Sequence, residues 1–521
     1  MERYRVRRIR GLLALGAAAG LLLTGCGAGD SGDSSADNNG YASGFPAPDY
    51  THSTGGTGEQ KNNDGNDGND DSQSRDFEAA PDYLSTFALD VDTASYGYAR
   101  RALADGRLPD PSTVRPEEFV NSFRQDYDRP DGNGFTVTVD GARTEREDWS
   151  LVRVGLATRP AADAEERPPA ALTFVIDISG SMAEPGRLDL AKDSLGVMTD
   201  QLRDDDSVAI VTFSDEAETV LPMTRLDDNR GDIHDAIDSL EPTDSTNLGA
   251  GVETGYETAV EGLREGATNR VVLVSDALAN TGDTDADTIL ERIASERREH
   301  GITLFGVGVG SDYGDALMER LADKGDGHTT YVSSDDEARE VFCEELPKNI
   351  DLTARDAKAQ VAFDETTVSE FRLIGYDNRQ VADDDFRDDS VDGGEVGPGH
   401  TVTALYAVRT RPGTEGHLAT ATVRWLDPDS RAPHEESGRL ETGSLDSSVW
   451  SASPRFQVTA TAAYFADALR LGDDRWTALP GGSHLSELAS RADRLATTTE
   501  DEDVRHLADA IHRATDLTGQ D

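Results

Sequence analysis

The sequence predicts an α/β protein. It is expected to have a doubly wound domain with a central, mainly parallel sheet, inserted in or flanked by a β-sandwich, plus N-terminal and C-terminal helical segments. Three observations predict this. After Pro168, near-continuous apolar strands alternate with helical stretches, the pattern of a parallel sheet covered on both faces. On either side, at residues 135–158 and after Ala357, apolar and polar residues alternate between Asp/Gly-rich turns, as in half-buried antiparallel strands. Apolar stripes at helical spacing lie at both ends of the folded body.

A chain of 521 residues is too long for one compact core, so several domains are expected. Asp and Glu number 101 against 49 Lys and Arg, and only five of those are lysine, for a formal net charge of −52. Such a surface is strongly hydrated and repels polyphosphates, which excludes nucleic acid as a partner and the body itself as a binder of anionic membranes. Residues 1–10 carry five arginines, residues 11–23 are apolar but too short to span a bilayer, and "LTGC" follows, ending at Cys26. This resembles a bacterial lipoprotein signal. The resemblance implies that residues 1–25 are a signal peptide, that Cys26 carries a diacylglycerol and becomes the mature N-terminus, and that the protein is extracytoplasmic, lipid-anchored to the cell membrane. Arg7 and Arg8 leave general and twin-arginine export both open. Only Cys343 would remain as a thiol, so the exported domains must be held by their cores without a disulfide.

Residues 26–80 are rich in Gly, Ser, Asn, Asp and Thr and cannot bury enough apolar surface to order, so a flexible acidic linker is expected. Within it, "KNNDGNDGNDD" lacks the closing Glu of a calcium loop. Residues 81–130 read as a short strand, a helix from about Thr93, a Gly/Pro turn at 106–111 and a second helix after Pro116. Tyr96, Ala99, Leu103, Phe119, Val120 and Phe123 form its apolar stripes. Residues 131–167 hold the first β-rich stretch. In the α/β domain, 168–350, strands are predicted at 172–178, 208–214, 271–276, 302–309 and 329–332. Helices are predicted at 187–202, 230–240, 248–263, 285–300, 316–324 and 337–350. Residues 351–449 form the β-sandwich, through "AKAQVAF", "FRLIGY", "HTVTALYAVRT" and "HLATATVRWLD", with the acidic run 383–392 as a solvated loop. Residues 450–521 carry three helical stripes that form a small cap. The two β-rich stretches are expected to pair, making the α/β domain an insertion in a shared sandwich.

The first α/β strand ends in "FVIDISGSM", which places Asp177, Ser179 and Ser181 at alternate positions on a strand-to-helix loop. Ligands of open α/β sheets bind outside the carboxyl ends of the strands. Two further oxygen donors stand at equivalent places, Thr246 in "STNLGAGV" and Asp276 in "RVVLVSDA". Carboxylates and hydroxyls are hard donors suited to magnesium, manganese or calcium. The set Asp-x-Ser-x-Ser, Thr, Asp resembles the metal-ion-dependent adhesion site of the von Willebrand factor type A domain, a Rossmann-like fold. The resemblance implies a divalent cation, Mg2+ first with Mn2+ or Ca2+ as alternatives. The serines and threonine would touch the metal, the aspartates would act largely through water, and a partner's carboxylate would complete the shell. Two carboxylates cancel a divalent charge and hydroxyls donate weakly, so one more anionic oxygen is wanted. The segments "FALDVDTASYGYARRAL" and "VSEFRLIGYDNRQVADDDF" resemble the flanking regions of a bacterial subfamily of von Willebrand type A lipoproteins. One departure is Ala277, where many relatives place glycine after the aspartate.

No His-Glu-x-x-His helix, Gly-x-Ser-x-Gly elbow or phosphate loop occurs, and the ten histidines are scattered. Ser179 and Ser181 lack a local base, Cys343 reads as a small core residue and His328 as structural, so no enzyme is expected. The leading reading is a lipid-anchored module that captures a carboxylate of a protein partner through a divalent cation. An envelope scaffold or assembly factor with a structural metal, and a metal-assisted hydrolase, are the alternatives.

Overall fold

A computed structural model describes residues 83–89, 93–146, 148–160, 167–243, 245–276, 288–289, 291, 293, 300–309, 329–332, 334, 338–339, 341–342, 352–377, 379–389, 391, 393–428, 430–471 and 479–519. Cys26, Ala277, His328 and Cys343, the linker and the helix expected at 316–324 lie outside these residues, as do parts of 285–300 and 337–350.

Two antiparallel sheets make the sandwich. The first runs β1 (Leu84–Ala88), β10 (Ala354–Phe363), β14 (His417–Leu426), β15 (Pro433–Glu441), with β12 (Gly394–Val396) also paired to β10. The second runs β11 (Val368–Leu373), β13 (Thr401–Thr410), β3 (Trp149–Thr158), β2 (Phe135–Arg143). The expected pairing across the α/β domain is present: Leu151 stands opposite Ala407 and Val154 opposite Ala404. Phe87, Val152, Val154, Val361, Tyr406 and Val423 fill the space between the two sheets. The alternate residues of the second sheet, among them Leu151, Leu405 and Ala407, meet a layer of helices instead. That layer consists of α1 (Ala94–Ala104), α2 (Pro116–Asn121), α6 (Pro454–Leu471), α7 (Leu485–Thr499) and α8 (Glu502–Thr518). Strand β3 is therefore buried at all ten positions rather than half-buried, because both of its faces are covered. Arg153 of β3 ties the layers: it donates to Asp140 at 2.6 Å and to Gln125 at 2.9 Å, and lies over the rings of Tyr127 and Phe456.

The third sheet has the order β6 (Ala217–Arg225), β5 (Ser207–Phe213), β4 (Ala170–Asp177), β7 (Thr268–Ser275), β8 (Thr303–Val309), β9 (Thr329–Val332), parallel except for the antiparallel edge strand β6. Strand β4 is central and buried throughout. Helices α3 (Leu188–Gln201) and α4 (Arg230–Asp238) cover one face. Helix α5 (Leu248–Glu261) covers the other, with Leu248, Val252 and Tyr256 against Val175 and Phe213. Each large apolar side chain buried this way contributes about 1.5–3 kcal/mol.

Three strands escape the sequence pattern. β6, β12 and β15 are short or largely exposed edge strands; β6 contains Pro222, which an edge tolerates because one side of its backbone needs no partner. The acidic run differs from a simple solvated loop: residues Asp383–Arg387 form a 3-10 turn over buried Phe386. The buried Lys358 ammonium donates to the carbonyls of Asp388 (2.6 Å) and Val391 (2.7 Å), so a lysine fills the loop's interior.

Asp206 fastens the base of the α/β domain. Its buried carboxylate accepts from Arg167 at 2.9 and 2.5 Å, from the Ala170 amide at 2.8 Å and from the Arg203 amide at 2.7 Å. Burial alone would raise its pKa, but the bonds from Arg167, Ala170 and Arg203 outweigh it and the net shift is downward. A lowered folded pKa contributes stability above the unfolded carboxylate value, and that contribution is lost as pH falls through the lower folded value. Asp206→Ala is expected to cost about 3–5 kcal/mol at neutral pH, because it leaves Arg167 buried without its partner. Denaturant unfolding at pH 7 and below pH 4 checks this: the gap between variant and wild type should shrink in acid.

Candidate metal centre

At the carboxyl end of β4 the chain leaves the sheet at Asp177 and turns through the 3-10 segment Gly180–Ala183 before α3. Asp177 is fully buried and anchored from two sides. Its Oδ1 accepts from the Ser179 amide at 2.8 Å, and its Oδ2 from the Ser275 hydroxyl, at the end of β7, at 2.5 Å. The Ser179 and Ser181 hydroxyls lie 3.1 Å apart.

Thr246 comes from the loop entering α5. That loop is stitched to the neighbouring strand ends: the Thr243 amide donates to the Ile178 carbonyl at 2.6 Å, and the Asn247 amide to the Ser214 carbonyl at 2.6 Å. Ser245 adopts a left-handed conformation, and Asn247 caps α5 by accepting from the Ala250 amide at 3.2 Å. Thr246 between them is buried. The helix reaches this position because Gly251 and Gly255, one turn apart, face the sheet. A Cβ on Gly255 would lie 2.3 Å from a methyl of Val175, and one on Gly251 2.6 Å from the Phe213 ring. The glycines of "LGAGVETGY" thus set how closely the threonine loop approaches β4.

Asp276, one residue beyond β7, is also buried, and its Oδ2 accepts from Arg187 at 2.7 Å. Arg187 directly precedes α3; the same guanidinium nitrogen donates to the Ser181 carbonyl at 3.0 Å, and the other reaches Glu184 at 3.0 Å. The guanidinium therefore ties Asp276 to the serine loop. Burial pushes the Asp177 carboxyl up from its ordinary value, hydrogen bonds from Ser275 and Ser179 oppose this, and the charge of Asp276 adds to the upward push.

All five sequence-predicted residues thus stand at the carboxyl edge of β4, β5 and β7. Sequence reasoning missed Arg187 and Ser275. Arg187 was legible as a lone cation ahead of a helix whose first turn is otherwise acidic or apolar, and Ser275 as the residue before the aspartate in "VSDA". The donor set is chemically suited to a divalent cation. It has two buried carboxylates, with the charge of Asp276 adding to the cost of ionising Asp177, two adjoining hydroxyls, and only oxygen atoms, the preference of a hard cation.

Comparison with known proteins bears on the family of the chain. The family model described as "von Willebrand factor type A domain" matches residues 171–344, "Uncharacterized protein YfbK, C-terminal" matches 349–416, and "von Willebrand factor" matches 64–152. The chain is 34% identical over 417 residues to the protein YfbK of Escherichia coli (strain K12), across 75% of this chain and 72% of that one. It is 25% identical over 214 residues to human inter-alpha-trypsin inhibitor heavy chain H3, across 39% of this chain and 24% of that one. Among solved structures it is similar to a von Willebrand factor type A protein from Catenulispora acidiphila, with a TM-score of 0.44, 16% identity, and coverage of 74% of this chain and 91% of that one. With the doubly wound sheet and the YfbK match over most of both chains, the chain belongs to the von Willebrand factor type A family, among its bacterial members that carry the YfbK-type C-terminal region.

Proposed function

We propose that this protein is a non-enzymatic, lipid-anchored extracytoplasmic binding protein that captures an acidic side chain of a protein partner at the carboxyl edge of its third sheet. The observation that carries this reading is the convergence of Asp177, Ser179, Ser181, Thr246 and Asp276 on one strand-end surface. Membership of a family associated with protein–protein interaction supports capture as the coarse function.

Ser179, Ser181 and Thr246 would hold the cation by their hydroxyls. Asp177, fixed by Ser179 and Ser275, and Asp276, fixed by Arg187, would hold its outer shell. A bound Mg2+ supplies one electrophilic position for a carboxylate oxygen. The Arg187 guanidinium offsets one of the two carboxylates, which leaves the loaded site more attractive to an anion than two carboxylates alone would. Anchoring is assigned to Cys26 on the leader pattern of residues 1–26, and the chain's net charge of −52 makes a lipid the reasonable means of holding the body at an anionic bilayer.

Three outcomes test this. Mg2+ at about a hundred times its dissociation constant should stabilise the wild type by about 2.7 kcal/mol by linkage, read as a rise in Tm. Asp177→Ala, Asp276→Ala and the double variant Ser179→Ala with Ser181→Ala should show no such rise, and should lose a partner that chelator elutes from the wild type. An unchanged Mg2+ response in all three would refute the site. Arg187→Ala should cost about 3–5 kcal/mol without metal, and adding Asp276→Asn should restore much of that, because the loss comes from an uncompensated buried carboxylate. A denaturant double-mutant cycle measures it. Cys26→Ser should abolish partitioning into detergent; a processed variant that still partitions would refute the anchor.

A further inference from the structure

At the opposite edge of the third sheet from Asp177, a cavity of about 410 Å³ lies where the α/β domain joins the sandwich, bounded by Thr268 and Thr303 on one side and Thr353 and Glu395 on the other. Three arginines from distant parts of the chain line it: Arg159 beyond β3, Arg270 in β7 and Arg355 in β10. Arg270 is only 1% exposed, yet its Nε and Nη1 make no hydrogen bond, and its Nη2 reaches Glu395 at 3.6 Å. Arg355 reaches the same carboxylate at 3.2 Å, and its Nε is also buried without a hydrogen-bond acceptor, as is the Thr353 hydroxyl. One glutamate is thus shared by two guanidiniums. The other acid lining the cavity, Asp427, accepts from the Ser430 amide and hydroxyl at 2.8 Å and caps its own turn.

Buried donors without acceptors cost roughly 1–3 kcal/mol each, more when charged, so three guanidinium nitrogens and a hydroxyl around one cavity call for an acceptor. Burial pushes Arg270 down from its usual value, a shift that a nearby anion opposes, as the Glu395 carboxylate already does in part. A local surplus of positive charge in a chain of net charge −52 is a specific arrangement rather than a consequence of composition. The planar fork of arginine matches the paired oxygens of phosphate and carboxylate, and the volume falls in the range of small-molecule sites, about 300–1,000 Å³.

We propose that this cavity binds an oxyanion, a phosphate group or a small polycarboxylate, between Arg270 of the α/β domain and Arg355 of the sandwich, with Arg159 beside them. The bound anion spans the junction and stabilises the seating of one domain on the other. The site is separate from the strand-end residues, and the anion titration that tests it does not depend on them.

Full-length protein freed of divalent cations is titrated by calorimetry with inorganic phosphate and with citrate, using chloride at matched ionic strength as the control, and Tm is followed in parallel. The expected result is saturable binding and a rise in Tm with at least one oxyanion. Phosphate alone identifies a phosphate group as the ligand; citrate alone identifies a carboxylate. Arg355→Gln, at a partly exposed strand position, should weaken binding about ten- to a hundredfold and leave the Mg2+-dependent Tm rise unchanged. Arg270→Gln should do the same, and where that variant does not fold, Arg355→Gln and Arg159→Gln carry the test. The proposal is overturned if neither oxyanion differs from chloride, or if both of these variants bind as tightly as the wild type.

Discussion

Strand β3 is bonded along its whole length to β2 on one side and to β13 on the other, with Trp149 opposite Arg409 and Ala157 opposite Thr401. This ladder joins segments some 250 residues apart, and the other layers are arranged around it. Its two faces carry separate cores, the sandwich on one and five helices on the other. Closing it returns the chain to the point it left, so the α/β domain is held through both connectors, with Arg167 bonded to Asp206 at one of them. A domain fixed at both ends can present its opposite edge in a defined direction, as a binding surface requires.

The strand-end surface is electrostatically tense without a cation. Two buried carboxylates lie near each other in a chain already rich in negative charge, and among the described residues Arg187, the Ser179 amide and the Ser275 hydroxyl offset them. Arg187 is intelligible in this light. It keeps Asp276 compatible with burial when the site is empty, and it holds that carboxylate to the serine loop through the Ser181 carbonyl. The glycine pair in α5 has a complementary role, since the threonine loop reaches the strand ends only if the helix lies close on β4 and β5.

The central strands were legible because burial on both faces imposes an apolar run that no other element of that length requires; residues 170–177 are the clearest case. The proximity of Asp177, Ser179, Ser181 and Asp276 was legible because they sit within a few positions of such runs, where topology fixes their placement. What stayed hidden depends on partners distant in sequence. β6 and β15 expose most of their residues, so their pairing with β5 and β14 leaves little apolar trace. β3 read as half-buried because its pattern does not reveal the helical layer laid over its second face. Arg159, Arg270 and Arg355 are unremarkable singly and become a cluster only when the insertion closes. Lys358 inside the 383–391 turn is invisible for the same reason.

The central claim is that a divalent cation completes the strand-end surface and makes it a receptor for a carboxylate. A crystal structure of the protein grown with Mn2+, read by anomalous scattering, tests it most directly. The account predicts an anomalous peak within coordinating distance of the Ser179 and Ser181 hydroxyls, with one position held by water or by an exogenous carboxylate. Ordered density for Asp177, Ser179, Ser181 and Asp276 with no peak among them, at manganese concentrations that saturate ordinary sites of this chemistry, would contradict it.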